Sequence, residues 1–299
     1  MQNTDVLPKE PPIVSADLSS DDQWSEIIRP STRLLDLGLR DVWRYRDLVM
    51  LFVRRDFVST YKQTILGPLW FFIQPLLTTI TYVVIFGNVA KLSTDGMPML
   101  VFYMAGITVW NYFSQTLTST ATVFTTNAAI FGKVYFPRLT MPLSIVLSNL
   151  VRFAIQFGLF IIIWLYYLIK GSAMHPNWLI ALTPVLIVLM GLLSLGLGMI
   201  FSAMTTKYRD LALLLTFGVQ LLMYAAPVIY PLSSVPAKYQ WIIMANPMSS
   251  IIETFRYAFL GAGTFSWATL GYSAVATTII LVLGTIVFNK IQKSFTDTV

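Results

Sequence analysis

The chain has 299 residues, of which 56% are apolar and 11% charged, whereas a soluble domain of this size carries about 25% charge; water is not its main solvent. Cysteine is absent, which excludes a disulfide framework, a thiolate metal site and a cysteine nucleophile. The net charge of +6 comes from basic residues that stand beside apolar segments, as cytoplasmic flanks of membrane helices do, so no nucleic-acid partner is expected.

Residues 1–36 are rich in proline and acidic side chains and read as a disordered, polar cytoplasmic tail without the basic and apolar regions of a cleavable signal peptide. Residues 37–63 follow as an amphipathic helix. Leu39, Val42, Val49, Val53 and Phe57 recur at helical spacing, and Asp36/Arg40 and Asp41/Arg44 can pair along it. Cations flanking an apolar stripe predict a helix lying in the membrane interface.

A bilayer core about 30 Å thick needs about 20 apolar helical residues. Six runs meet this length: Leu66–Ala90, Met99–Ser119, Leu147–Ile169, Trp178–Met204, Leu211–Tyr230 and Trp267–Asn289. The expected fold class is therefore an all-α integral membrane domain over residues 37–293, with six transmembrane helices within 66–289 and a short tail at 294–299. Lys/Arg residues crowd the amino-terminal region and the even-numbered connections, including Lys133, Arg138, Lys207 and Arg209. The opposite loops hold only Lys91, Lys170, Lys238 and Arg256. The positive-inside rule then places both termini in the cytoplasm.

Between spans five and six, Pro231–Gly263 is too apolar for a loop and too interrupted by Pro231, Pro236 and Pro247 for a span. It reads as a re-entrant hairpin on the outer side, with Tyr230, Glu253 and Arg256 as a candidate outer gate. Glu253 and Arg256 stand at i, i+3 spacing, which also suits a plain intrahelical ion pair. Arg152, about two turns into span three, either faces a polar conduit or snorkels to the headgroups.

No G-x-x-x-x-G-K-[ST] phosphate loop, metal-ligand cluster or nucleophile triad is present, so no catalytic or metal residue is assigned and no enzyme is expected. His175, the only histidine, falls in an outer loop as a surface residue.

Five strings carry a family likeness: KQTILGPLWFFIQPL at Lys62–Leu76, GKVYFPRLTMPLS at Gly132–Ser144, KYRDL at Lys207–Leu211, YAAPVIYP at Tyr224–Pro231 and NPMSSIIETFRYAFLG at Asn246–Gly261. In that order, over about Asp47 to Lys290, they resemble the type-2 ABC exporter permeases, and among those the O-antigen, capsule and teichoic acid exporters. The resemblance implies a homodimer in the bacterial inner membrane bound to two copies of a separate ATPase. ATP and magnesium would sit in that partner, and the cargo would be a glycan on undecaprenyl diphosphate. In Gly132–Ser144, Pro137 and Pro142 break helix continuity while Lys133 and Arg138 keep the segment at the cytoplasmic face. It reads either as a short helix that lodges in an ATPase cleft or as an ordinary inter-span loop, and the resemblance favours the first. Arg54, Arg55, Lys133, Tyr135 and Arg138 are then the contact residues.

A sugar conduit needs aromatic faces, hydroxyls and amides. Span one places Trp70, Gln74, Thr78 and Tyr82 at four-residue steps, span two offers Tyr103 and Trp110, and span five Gln220 and Tyr224. Together with Arg152 these are the candidate path residues, although interface belts and ordinary packing produce the same stripes. The expected function is export of lipid-linked polysaccharide, O-antigen first and capsule or teichoic acid next. An ATP-independent scramblase or carrier and a membrane-embedded glycosyl- or acyltransferase are the rivals, and scarce intramembrane carboxylates weigh against both.

Overall fold

The structure, a computed structural model, describes residues 39–62, 64–131, 133 and 136–296. The expected tail over 1–36 and Tyr135 lie outside the described residues. Every regular element among the described residues is helical.

The chain begins with α1 (Leu39–Arg44) and α2 (Arg46–Tyr61), which bury Val42, Val49, Phe52 and Val53, three of them against Leu139 and Leu143. The apolar stripe expected to face lipid thus packs partly on protein. A second strip, Trp43, Met50, Leu51 and Val58, is exposed beside Arg54. Two apolar faces and a cationic edge suit a helix lodged between protein and headgroups.

Gly67, at φ +49°, turns the chain into α3 (Trp70–Tyr82). Pro75 lies inside α3 and removes one backbone donor. Thr78 and Thr79 hydroxyls donate to the Gln74 and Pro75 carbonyls at 2.9 and 2.7 Å, satisfying themselves within the helix. The helix then loosens into a π-helical stretch, Val83–Val89.

Next come α4 (Met99–Ala121), the short α5 (Val123–Thr126) and α6 (Ala128–Phe131), and α7 (Thr140–Ile169). α7 starts well before the expected Leu147. Pro142 sits in its first turn, where a missing N–H does no harm, so it does not break the helix there. α8 (Thr183–Lys207), α9 (Leu211–Tyr224), α10 (Ala237–Met244), α11 (Pro247–Leu260) and α12 (Trp267–Thr296) complete the bundle.

Four described stretches are long and apolar enough to cross a membrane: Gly67–Val89, Thr140–Ile169, Trp178–Lys207 and Trp267–Ile291. The shortest has 23 residues, about 35 Å of helix. The other two expected spans differ in kind. α4 has 23 residues but carries Asn111, Ser114 and Gln115, and most of it is buried at the centre of the bundle. α9 has only 14 residues, about 21 Å, because Pro227 cannot continue it.

Small residues let the backbones close up. A Cβ on Gly196 of α8 would meet the Leu281 backbone of α12 at 2.9 Å, and one on Gly198 would meet Thr120 of α4 at 2.5 Å. Close approach of this kind substitutes for the hydrophobic drive that lipid cannot provide.

Candidate functional site

α2, the starts of α3 and α7, and the end of α4 gather at one end of the bundle. Arg44, Arg46, Arg54, Arg55, Lys62, Lys133, Arg138, Lys207, Arg209 and Lys290 stand at that end by chain position, against Lys91, Lys170 and Lys238 at the other. At the second end Lys170 donates to the Tyr166 hydroxyl at 3.1 Å, which raises its pKa.

Two adjoining cavities of about 230 Å³ each open at the cation-rich end, sharing Thr60, Asn149 and Arg152 in their walls. Such a volume holds many waters, since about 10–15 Å³ admits one. The first is walled by α2, α4 and α7 and includes Arg55, Asp56, Asn127 and Ser148. The second reaches along α3 and includes Gln74, Thr78, Asn111, Gln115 and Gln156. Asn111 donates to Gln156 at 3.4 Å. Amides and hydroxyls in apolar helices cost free energy unless they meet partners or water, and here they converge on one space.

Arg152 enters this space from α7. It donates to Thr60 Oγ1 at 2.9 Å and Asn149 Oδ1 at 3.3 Å, with its Nε buried and unpartnered. Arg55 folds back on its neighbour Asp56 at 2.7 Å, donates to Asn127 Oδ1 at 3.4 Å and covers the Phe52 ring.

The other end is built around Arg256. Past Tyr224 the chain unwinds with Ala226–Ile229 buried, so its carbonyls need donors. Arg256 of α11 supplies them, bonding the Pro227 and Val228 carbonyls and that of Tyr230 at 3.3 Å. Its guanidinium lies 3.9 Å over the Phe102 ring of α4 and 3.7 Å from Glu253 Oε1. Glu253 Oε2 in turn accepts from the Thr264 N–H at 3.1 Å. Both side chains are 1% exposed. One ion pair therefore ties α4, the broken end of α9, α11 and the loop before α12. Tyr230 donates to the Tyr224 carbonyl at 2.9 Å beside it.

The other residues singled out in the sequence fall into three environments. Trp70 and Gln74 are exposed, and so are Gln220 and Tyr224 on α9, while Thr78 is half-buried at the second cavity. Tyr82 is half-buried, packed edge-on to Phe86 and Tyr103, with its hydroxyl 3.7 Å from Met223 Sδ. Tyr103 and Trp110 lie in the core. Arg54 and Lys133 are exposed, and Arg138 covers the Phe131 ring at 5.8 Å. Asn111, Gln115, Asn149 and Gln156 were not singled out. Their signal was helical spacing: 111, 115 and 119 along α4 with 122 just past its end, and 149, 152 and 156 along α7, each mark one polar face. Among the described residues no group of His, Cys, Asp or Glu gathers to hold a metal.

A helical bundle with several apolar spans, cations at one end and a polar hollow between helices defines a multi-pass membrane protein. More narrowly, residues 47–260 match the ABC-2 type transporter family, and the chain belongs to it. It is 28% identical over 251 residues to the O-antigen export system permease protein RfbA of Klebsiella pneumoniae, covering 84% of this chain and 94% of that protein. To RfbA of Myxococcus xanthus it is 26% identical over 263 residues, covering 87% and 98%. It is also 23% identical over 243 residues to the polysialic acid transport protein KpsM of Escherichia coli, covering 80% and 92%.

Proposed function

We infer that this chain is the permease subunit of an ABC exporter that carries lipid-linked polysaccharide across the bacterial inner membrane, with ATP and magnesium held by a separate ATPase chain. The observation that carries this reading, beside the family and its relatives, is the polar hollow at the cation-rich end. A soluble cargo headgroup needs such a space to leave the aqueous side. O-antigen-type glycan is the leading cargo, with capsule-type or teichoic acid next, and undecaprenyl diphosphate is the lipid we propose for it.

In this reading α3, α4, α7, α8, α9 and α12 are the six spans, and α10–α11 form a re-entrant outer hairpin. The clustered cations then put both termini in the cytoplasm. α9 leaves Thr216, Phe217, Gln220 and Tyr224 exposed. Hydroxyl and amide groups at mid-membrane are costly against lipid, so a second copy of this chain is proposed to face them, with the glycan passing between copies along Trp70, Gln74, Thr78 and Tyr224. Tyr82, Tyr103 and Trp110 would support that wall from behind. Arg54, Lys133, Tyr135 and Arg138 are proposed to meet the ATPase, and the Arg256–Glu253 pair to hold the outer hairpin as a unit.

Co-expression with a phosphate-loop ATPase encoded beside this chain tests the reading. The two should co-purify and restore surface polysaccharide in a null strain, and the purified chain alone should hydrolyse no ATP. Arg138→Glu should uncouple ATP hydrolysis from export while Lys91→Glu leaves it intact. Export by this chain without any ATPase would turn the reading into a scramblase.

A further inference from the structure

We propose that the outer end of α3 is a register switch. Its π-helical stretch, Val83–Val89, rewinds as α-helix during transport, and the residue it gives up draws Asp95 off Ser233, a latch that holds the loop after α3 against the outer hairpin. The proposal rests on the export reading, because it supplies a movement at the outer end of that machine.

Helical geometry is the first argument. The Ala90 N–H donates to the Ile85 carbonyl at 2.8 Å, five residues back, and the Leu92 N–H to that of Phe86 at 2.8 Å, six back. A π turn is rare and is found frequently at functional sites as a single bulge. It holds about one residue more than the α-helix it replaces, so rewinding expels about 1.5 Å of rise and 100° of turn. Inward of the stretch α3 is tied down, since Tyr82 packs on Phe86 and Tyr103 and reaches Met223. Outward, the next regular element starts only at Met99, so the loop takes up the change.

The residues keep the two windings close in free energy. Val83, Val84, Ile85 and Val89 are β-branched, and Gly87 and Asn88 are weak helix formers, so little in the stretch favours a tight α turn. Gly87 also leaves a notch: a Cβ there would stand 2.6 Å from Met99 Sδ of α4, a flexible thioether that can repack as the helix turns.

The third argument is where the irregular backbone collects. Lys91 and Asp95, both at φ +52°, are the only non-glycine residues with positive φ among the described residues, and both lie between the π stretch and α4. A long side chain such as lysine is uncommon in that conformation, which persists only where the surroundings impose it. The Asp95 N–H donates to Ser93 Oγ at 3.1 Å, and the Ser233 hydroxyl donates to Asp95 Oδ1 at 2.7 Å. Ser233 belongs to the turn Leu232–Ser234 just before α10. The contact is exposed, so water competes for both groups and the bond holds a position without locking it.

The chain has no cysteine, so the pair Asp95→Cys with Ser233→Cys introduces the only thiols. In the full chain in nanodiscs, copper phenanthroline should close the pair into a disulfide. Co-expressed with the ATPase in a null strain, the oxidised pair should lower surface polysaccharide severalfold, and a reductant should restore it. Val84, Ile85 and Val89 are exposed, and replacing all three by Leu keeps their apolar surface while favouring α-helix. Val84→Leu, Ile85→Leu and Val89→Leu together should slow disulfide closure about fivefold, because the loop is then latched for less of the time. A disulfide that does not form, normal export by the oxidised pair, or no export by the reduced pair overturns the latch. Unchanged closure in the leucine variant overturns the switch. If the parent chain exports nothing with its ATPase the export reading falls, while the closure rates still decide the switch.

Discussion

Two arginines enter this bundle from opposite ends and are held in opposite ways. Arg256 is 1% exposed, stacked on Phe102, paired with Glu253 and bonded to three backbone carbonyls. Arg152 is half-buried, faces a cavity, donates to Thr60 and Asn149, and lies 5.9 Å over the Phe71 ring. The same side chain serves as a bracket where the fold supplies its acceptors and stands open to a cavity where its Nε is left without one. Stability and function should therefore separate cleanly between the two ends.

The largest expected effect is at the bracket. Arg256→Ala leaves Glu253 buried without its cation and three carbonyls without a donor, and should cost about 3–5 kcal/mol. Thermal unfolding of the purified chain in detergent measures this, and a shift under about 1 kcal/mol would sink the bracket reading. Arg256→Met combined with Glu253→Gln should recover part of the loss, because no uncompensated charge then remains.

Gly106→Val sharpens the same point at a smaller scale. A Cβ at Gly106 would stand 2.5 Å from the Val228 carbonyl oxygen and 2.7 Å from Arg256 Nη2, so overpacking should cost about 1–3 kcal/mol. Its effect should be less than additive with Arg256→Ala, since both loosen one contact. Full additivity in the same unfolding assay would separate the two.

At the other end, Arg152→Gln should shift unfolding by less than about 1 kcal/mol while lowering surface polysaccharide severalfold at matched expression. A large stability loss there would erase the contrast. The smallest effects are expected on the outer faces. Ile80→Ala, on an exposed face of α3, should leave export and stability within about 0.5 kcal/mol of the parent. Gln220→Leu should be as stable but should reduce crosslinking between copies, read by a cysteine pair placed on α9.

Parts of this were legible beforehand. Apolar runs located α3, α7, α8 and α12, whereas the run expected to continue to Tyr230 stops as regular helix at Tyr224, ahead of the buried stretch that holds Pro227. The start of α7 was misread because Pro142 looks like a breaker until its place in the first turn is known. Arg55 was read only as an outward contact, since nothing local reveals that it folds back on Asp56 toward a cavity. The polar faces of α4 and α7 were visible as helical spacing, but their meeting was not: Asn111 and Gln156 are far apart in the chain.

By itself the sequence determined the solvent of this protein, the class of its elements and the end that carries its cations, because hydropathy, period and charge are local and additive along a chain. Only the tertiary structure decided that Arg256 closes the broken end of α9. Its acceptors are backbone carbonyls, which every residue has and which become available only where Pro227 stops the helix against α4 and α11. Only the tertiary structure, likewise, brought Thr60, Gln74, Asn111 and Arg152 from four helices and their flanks to one hollow. Where helices approach is set by glycines such as Gly196 and Gly198 and by the side chains that must fit between them, a property of pairs that no single segment carries.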